Sequence, residues 1–222
     1  MRFSLCLLLW FSFWGDIQRA RPTIFFAVPR IWTKLQLGVL ADLSEQKLNR
    51  LLRVPVFSRW VKRKILLALG LDKARLLLSG AAPLSQNSLE WYKRLGIEIL
   101  EVYGMTENMA YSHSSRKGDQ KVGYVGKSNP GVTTRLSETG EVLVKSPGNM
   151  VGYYQDPVKT AEVFTEDHFF KTGDFGFIDN AGNLKITGRV NELFKTEKGK
   201  YVLPVPIEDK MLCHDHVEQV CV

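Results

Sequence analysis

Residues 74–84 read ARLLLSGAAPL and residues 97–107 read IEILEVYGMTE. Each is an aliphatic run that stops on a glycine-bearing loop, Ser79-Gly80-Ala81-Ala82-Pro83 in the first and Tyr103-Gly104 in the second. Short apolar runs bounded by turn signals predict buried strands, here over 74–78 and 97–102. Between them Ser85 stands where a helix cap would, apolar residues continue to Leu95, and Gly96 supplies a stop, which predicts a helix. Strand, helix, strand at this rhythm predicts a parallel sheet with right-handed crossovers and covered faces. Ligands of such sheets sit beyond the carboxyl ends of the strands. Both loops fall at such ends, so topology alone predicts a binding site there.

Upstream, TIFFAV at 23–28 is bracketed by Pro22 and Pro29 and predicts a further short buried strand. Helical spacing follows through Ile31, Leu35, Leu48, Leu51 and Leu52, and again from Trp60 to Leu69 with Gly70 as its stop. Beyond about residue 120 the rhythm changes. Residues 132–136, 141–145, 175–179 and 184–187 predict short strands separated by turn signals at 138–140 and 179–183, hence an antiparallel meander or a small barrel. One helix interrupts them, opened by Asp156 as cap and Pro157 in the first turn, and running to Val163. A basic linker at 188–191, a short strand near Tyr201, a helix after Pro206 and an apolar terminal strand at 217–222 complete the chain. That last strand is expected to invite aggregation or a partner. The expected architecture is α/β: a parallel sheet with flanking helices, then a small antiparallel β-barrel or meander, then the beginning of an α+β domain. Its expected boundaries are 1–15, 16–120, 121–188 and 189–222.

Composition excludes several classes. With 45% apolar and 24% charged residues over 222 positions, the chain is neither collagen-like, coiled-coil nor wholly disordered. The formal charge of +7 comes from basic residues that are spread along the chain, so a nucleic-acid partner is not expected. Anionic small molecules or an acidic lipid surface suit that charge equally well. Cys6, Cys213 and Cys221 form no CxxC spacing, which argues for a reducing compartment rather than a disulfide framework. Cys213-His214-Asp215-His216 lacks the second cluster that a metal centre would need. Phe3 to Trp14 is apolar but too short for a spanning helix, which takes about 20 residues, and no small-x-small cleavage site follows. A surface anchor, a buried segment and a start foreign to the fold all remain open for it. Gly126-Lys127-Ser128 mimics the end of a phosphate loop but lacks the earlier glycine, with lysine at position 121, and lacks a following helix.

Four stretches taken together resemble the acyl-CoA synthetase branch of the adenylate-forming, AMP-binding enzymes: LLLSGAAPL (76–84), YGMTE (103–107), FKTGDFG (170–176) and ITGRVNELFK (186–195). RPTIFFAVPRIWTKLQ (21–36) and KGKYVLPVPIED (198–209) are similar to the long-chain fatty acyl-CoA synthetases, in particular the bubblegum-type group. The resemblance runs from about Asp16 to Val222. It implies ATP-dependent formation of an acyl-adenylate, release of pyrophosphate, and transfer of the acyl group to coenzyme A, with ATP, a long-chain fatty acid and coenzyme A as partners. A carboxylate must approach an anionic triphosphate, so neutralising charge and positioning are the catalytic needs.

The resemblance implies a role for each matched residue. Gly80, Ala81 and Ala82 would lie against adenine, where small residues allow close approach, and Tyr103 beside Gly104 would stack on the base. Thr106 would offer its hydroxyl to phosphate and Glu107 would hold Mg²⁺. Asp174 would accept from both ribose hydroxyls, and Arg189 would add a fork of donors to the nucleotide. Lys198 and Gly199 belong to the glycine turn implied in thioester formation, and Lys200 with Lys198 could meet coenzyme A phosphates. His113 could line the acyl pocket, but a packed or an exposed histidine is the stronger expectation. Taken singly, Asp174 reads as a turn residue, Thr106 with Glu107 as a helix start and Arg189 as a surface charge; their joint order favours the site.

Asn191 replaces the Lys or Asp usual at the family's hinge. Neither the Ser/Thr/Gly-rich phosphate loop nor the late catalytic lysine has a counterpart in these 222 residues. A partial synthetase that turns over poorly alone is therefore expected, cytoplasmic or peripheral at a membrane surface. A non-catalytic nucleotide-binding remnant and a membrane-associated interaction module are the alternatives.

Overall fold

The computed structural model describes residues 13–195 together with 201, 202, 204, 207, 208, 211 and 220. The chain divides into two compact units, residues 1–100 and 101–222.

The first unit runs α1 (Phe13–Ala20), β1 (Ile24–Ala27), α2 (Pro29–Asp42), α3 (Glu45–Arg53), α4 (Pro55–Ala68), β2 (Leu76–Ser79) and α5 (Gln86–Arg94); β3 (Ile99–Tyr103) begins at its end and lies mostly in the second unit. β1 and β2 pair in parallel, Ile24 opposite Leu76 through Ala27 opposite Ser79. The expected parallel pairing is thus present, with three helices in the crossover. Proline at the start of both α2 and α4 costs no hydrogen bond, because the first amides of a helix lack intrahelical partners. Ser85 caps α5 as expected, its hydroxyl oxygen accepting from the Ser88 amide at 3.2 Å.

The core of this unit centres on fully buried Trp32 and Tyr92, with Leu35, Leu48, Leu71, Leu95 and Ile99 around them. Trp32 meets Phe25 and Tyr92 edge-on at 5.2 and 5.3 Å between ring centroids, arrangements worth about 0.5–1.5 kcal/mol beyond the area they bury. The Tyr92 hydroxyl donates to the Trp32 carbonyl at 2.6 Å, and Trp32 Nε1 donates to the Leu78 carbonyl at 3.3 Å. These bonds tie α5 to α2 and α2 to the end of β2, which sets where the 79–83 loop begins. One expectation fails: β1 is not buried on both faces. Phe25 and Ala27 turn to the helical core, while Phe26 points the other way and is 55% exposed.

In the second unit β4 (His113–Ser114) pairs antiparallel with β3, and β5 (Lys127–Ser128) antiparallel with β4. Lys127-Ser128 is therefore strand, in keeping with the rejection of a phosphate loop. β6 (Thr133–Leu136), β7 (Glu141–Lys145), β8 (Phe170–Ile178) and β9 (Leu184–Arg189) form a four-stranded antiparallel meander. α6 (Pro157–Val163) interrupts it, capped by Asp156 accepting from the Lys159 amide at 2.9 Å. The meander packs on Val142, Val144 and Leu184. β10 (Phe194–Lys195) pairs antiparallel with β11 (Tyr201–Val202).

β8 begins five residues before the expected 175, so the FKTGDFG stretch is strand interior and Asp174 is not a turn residue. Two glycines disguise the segment, but β7 supplies its partners, Val144 opposite Phe170 and Leu143 opposite Lys171. Residues 198–200, the 213–216 cluster and most of the 217–222 strand lie outside the described residues.

Candidate nucleotide site

β8 and β9 place Asp174 directly opposite Arg189. Arg189 Nε donates to Asp174 Oδ1 at 3.0 Å, and the Tyr103 hydroxyl, from the end of β3, donates to Oδ2 at 2.7 Å. The Asp174 side chain is 7% exposed and that of Arg189 62%, so a nearly buried carboxylate is met by one half-buried neutral donor and one solvated cation. Behind it, the Thr172 hydroxyl donates to the Val142 carbonyl at 2.8 Å and accepts the Asp174 amide at 3.2 Å, while the Glu141 carboxylate accepts the Gly173 amide at 2.9 Å. Burial, and then the charge of Asp174, push the Tyr103 hydroxyl far above the usual tyrosine range. It is a permanent donor, and its anchor fixes the plane of the ring.

Beyond Tyr103 the chain turns tightly. The Asn108 side chain, fully buried, accepts the Met105 amide on Oδ1 at 2.9 Å, and the Ala110 amide returns to the Met105 carbonyl at 2.8 Å. Met109 and Ala110 both hold left-handed backbone, φ 54 and 53. Gly104 is required here, because a Cβ on it would stand 2.5 Å from the Ala110 backbone. Thr106 is exposed and Glu107 half-exposed on the 3-10 turn Thr106–Asn108. The segment after β7 holds that turn: the Met150 amide donates to the Glu107 carbonyl at 2.7 Å, and the Tyr153 hydroxyl donates to Glu107 Oε1 at 3.1 Å. Burial, and then Glu107, raise the Tyr153 hydroxyl as well.

His113, on β4, is buried between the Ser112 hydroxyl at 2.9 Å from Nδ1 and the Ser128 hydroxyl at 3.2 Å from Nε2. Desolvation lowers it to about 4, so it is neutral near pH 7. Of its expected placements, pocket-lining, packed or exposed, the structure has it packed.

In the first unit, Ser79 ends β2 with its hydroxyl buried and without a hydrogen-bond partner among the described residues, and Ala81 holds left-handed backbone at φ 69. Such a conformation costs a non-glycine residue about 1–2 kcal/mol. Ala81 and Ala82 are exposed, and buried Leu84 anchors the far side of the loop. Strained backbone beside an orphaned polar group is what a ligand-contact loop tolerates.

A hard cation fits the residues of the second unit. Glu107 offers carboxylate oxygen, Oε1 accepts one hydrogen bond, and Mg²⁺ needs only one or two protein carboxylates when phosphates complete its shell. Among the described residues no group of three or more His, Cys, Asp or Glu could hold a metal by itself. Tyr153 and Thr172 escaped the sequence reading, because nothing in their local pattern marks a contact to a residue tens of positions away; Asn108 escaped it although its bond to Met105 spans only three residues.

A profile described as AMP-binding enzyme matches residues 8–154 of this chain. The chain belongs to the AMP-binding enzyme family. Its similarity to curated members of that family includes a putative fatty-acid–CoA ligase, fadD11, of Mycobacterium tuberculosis, 34% identical over 86% of this chain and 39% of the relative. It also includes the long-chain-fatty-acid–CoA ligase FadD15 of Mycobacterium bovis, 40% identical over 75% of this chain and 28% of the relative. The chain thus spans about a third of the length of these relatives. Among solved structures, ATP-bound MatB from Rhodopseudomonas palustris superposes with a TM-score of 0.70 at 32% identity, covering 92% of this chain and 38% of MatB. The AMP-binding match contains LLLSGAAPL and YGMTE and ends at Tyr154, one residue past the tyrosine that bonds Glu107.

Proposed function

We propose that this chain carries the adenosine- and metal-binding part of a long-chain fatty acid–CoA ligase, which forms an acyl-adenylate from ATP and then a thioester with coenzyme A. The observation that carries the reading is the bonded set Tyr103–Asp174–Arg189, which joins three of the four family-like stretches in one cluster. An ionised carboxylate has about four acceptor positions. Tyr103 and Arg189 use one each, which leaves capacity for the two ribose hydroxyls. Tyr103, locked by its hydroxyl, presents a fixed ring face to a purine. Arg189, largely solvated, is free to exchange Asp174 for the nucleotide. Thr106 would donate to phosphate and Glu107 would hold Mg²⁺. Bound Mg²⁺ would neutralise the triphosphate charge that otherwise repels the attacking carboxylate. Gly80, Ala81 and Ala82 would admit adenine, and Lys198 and Gly199 would serve the thioester step. The names of the relatives support fatty acid as the acyl donor, and ATP-bound MatB supports the nucleotide.

Isothermal titration with AMP tests the core of this reading. The wild-type chain should bind, and Asp174→Ala should weaken binding by at least tenfold, because removal of one partner strands the others. Equal affinity of the two proteins would overturn the assignment of Asp174.

A peripheral contact with an acidic lipid surface has its own support. α4 exposes Phe57, Trp60 and Leu67 along one stripe, with Trp60 59% exposed and Lys64 Nζ 4.9 Å from its ring. Arg59, Arg63 and Lys64 flank the stripe in sequence, and α4 contains no acidic residue. Aromatic and basic side chains on one helical face suit a headgroup layer. Among the described residues no helix is long and apolar enough to cross a membrane.

A further inference from the structure

The contact between Tyr153 and Glu107 joins two segments 46 residues apart, and the surrounding structure holds the tyrosine in one place. Its own amide donates to the Thr160 hydroxyl at 2.9 Å, and that hydroxyl donates to the Asp156 carbonyl at 2.7 Å. Asp156 in turn caps α6, so the tyrosine is seated on the first turn of a helix. Lys159, from the same turn, lies 4.9 Å over the Tyr153 ring. Gly152 lets the chain come this close, because a Cβ there would stand 2.8 Å from the Thr160 side chain. Three residues before Tyr153, the Met150 amide grips the Glu107 carbonyl. Backbone and side chain of Glu107 are thus fixed by one segment, 150–153, that no local sequence pattern associates with it.

We propose that Tyr153 is a positioning residue: by donating to Oε1 of Glu107 it fixes the carboxylate rotamer and leaves Oε2 as the oxygen offered to the metal of a metal–triphosphate complex. The inference rests on the nucleotide reading above and deepens it. A carboxylate on a half-exposed turn loses side-chain entropy when it takes up a metal, and a hydroxyl that has already restricted it lowers that cost. A tyrosine suits the task because it donates a hydrogen bond and brings no charge, so the metal keeps the full negative charge of Glu107.

The test is titration calorimetry on the full chain, with Mg²⁺ and ATP together and with AMP in the presence of a chelator. Tyr153→Phe should weaken Mg²⁺–ATP binding by about tenfold, the low end for loss of an outer-shell partner, and leave AMP binding within about twofold of wild type. In a cycle with Glu107→Gln, the double variant should bind Mg²⁺–ATP no worse than Glu107→Gln alone, since Tyr153 acts only through that carboxylate. Thr160→Val, which loosens the seat without touching the Tyr153 hydroxyl, should give a smaller loss of the same kind and serves where Tyr153→Phe fails to fold. A parallel fall in AMP and Mg²⁺–ATP binding, an unchanged Mg²⁺–ATP affinity, or additive losses in the cycle would each overturn the proposal. A wild-type chain that binds AMP while Tyr153→Phe matches it in both titrations defeats this inference alone. A wild-type chain that binds neither ligand defeats the nucleotide reading and this inference with it.

Discussion

Asp174 spends each of its oxygens on a different kind of donor, and the difference matters for how the site could load. The Tyr103 hydroxyl comes from a half-buried ring held by the packing around it; the Arg189 guanidinium is mostly in water and is the easier of the two to move, provided that another donor then meets the nearly buried carboxylate. The exchangeable partner is therefore the arginine. Gly104, next to Tyr103, leaves little room for change. Gly104→Ala drives a methyl into the Ala110 backbone, and since Met109 and Ala110 are already left-handed, the turn has no relaxed alternative. We expect a loss of about 1–3 kcal/mol in denaturant unfolding, the range for over-packing, with Thr106 and Glu107 displaced and AMP affinity reduced. A stability within about 0.5 kcal/mol of wild type, a figure ordinary for surface changes, would show that the turn gives way easily.

At the scale of elements, α4 has two unlike faces. Val61, Ile65 and Leu69 recur at helical spacing on the core side, while Phe57, Trp60 and Leu67 recur on the other. Burial of the first set explains why the helix forms, and the second set needs a different reason. If that face meets an acidic lipid surface, the chain should co-sediment with phosphatidylserine vesicles and be released by salt, because each basic residue near such a surface contributes about 1 kcal/mol and that attraction is screened. Trp60→Ala with Arg63→Glu should abolish the co-sedimentation while leaving AMP binding intact. Equal sedimentation with neutral vesicles would point to apolar stickiness instead. β8 makes a related point about elements. Its glycines weaken any local strand signal, yet pairing to β7 and β9 carries it through Gly173 and sets Asp174 opposite Arg189.

For the molecule as a whole, stability against acid should depend on a buried histidine. His113 titrates near 4 when folded and near its ordinary 6.5 when unfolded. Between those values the unfolded chain binds a proton that the folded chain refuses, so stability is complete above about pH 6.5 and falls as the pH drops toward 4. The size of the effect is on the order of 3 kcal/mol, because every tenfold change in proton affinity is worth about 1.4 kcal/mol. Asp179 acts only lower down: hydrogen bonds from Lys121, and then from Asn183, hold its carboxyl below the ordinary 3.8, so its contribution is intact through this window. Urea midpoints measured from about pH 7.5 to 4.5, which brackets most of that window, should fall for the wild type and fall distinctly less for His113→Gln. Parallel curves would mean that His113 accepts its proton while folded.

Much of this protein was legible in its sequence, and the reasons are local. Hydrophobic runs ending on glycine loops marked β2 and β3, Ser85 and Asp156 marked the caps of α5 and α6, and the ordered stretches at 76–84, 103–107, 170–176 and 186–195 marked the family. Each signal depends on residues a few positions apart, within reach of backbone propensity and periodicity. The exposed outer face of β1, the start of β8 at Phe170, and the bonds of Tyr103 to Asp174 and of Tyr153 to Glu107 were decided only in three dimensions. They depend on partners 71 and 46 residues away, or on which face of a strand the helices happen to cover. A sequence determines what each residue can offer, a donor, a charge or a bare backbone; which partner receives it is settled by the chain's return to the same place, and no short window of residues records that.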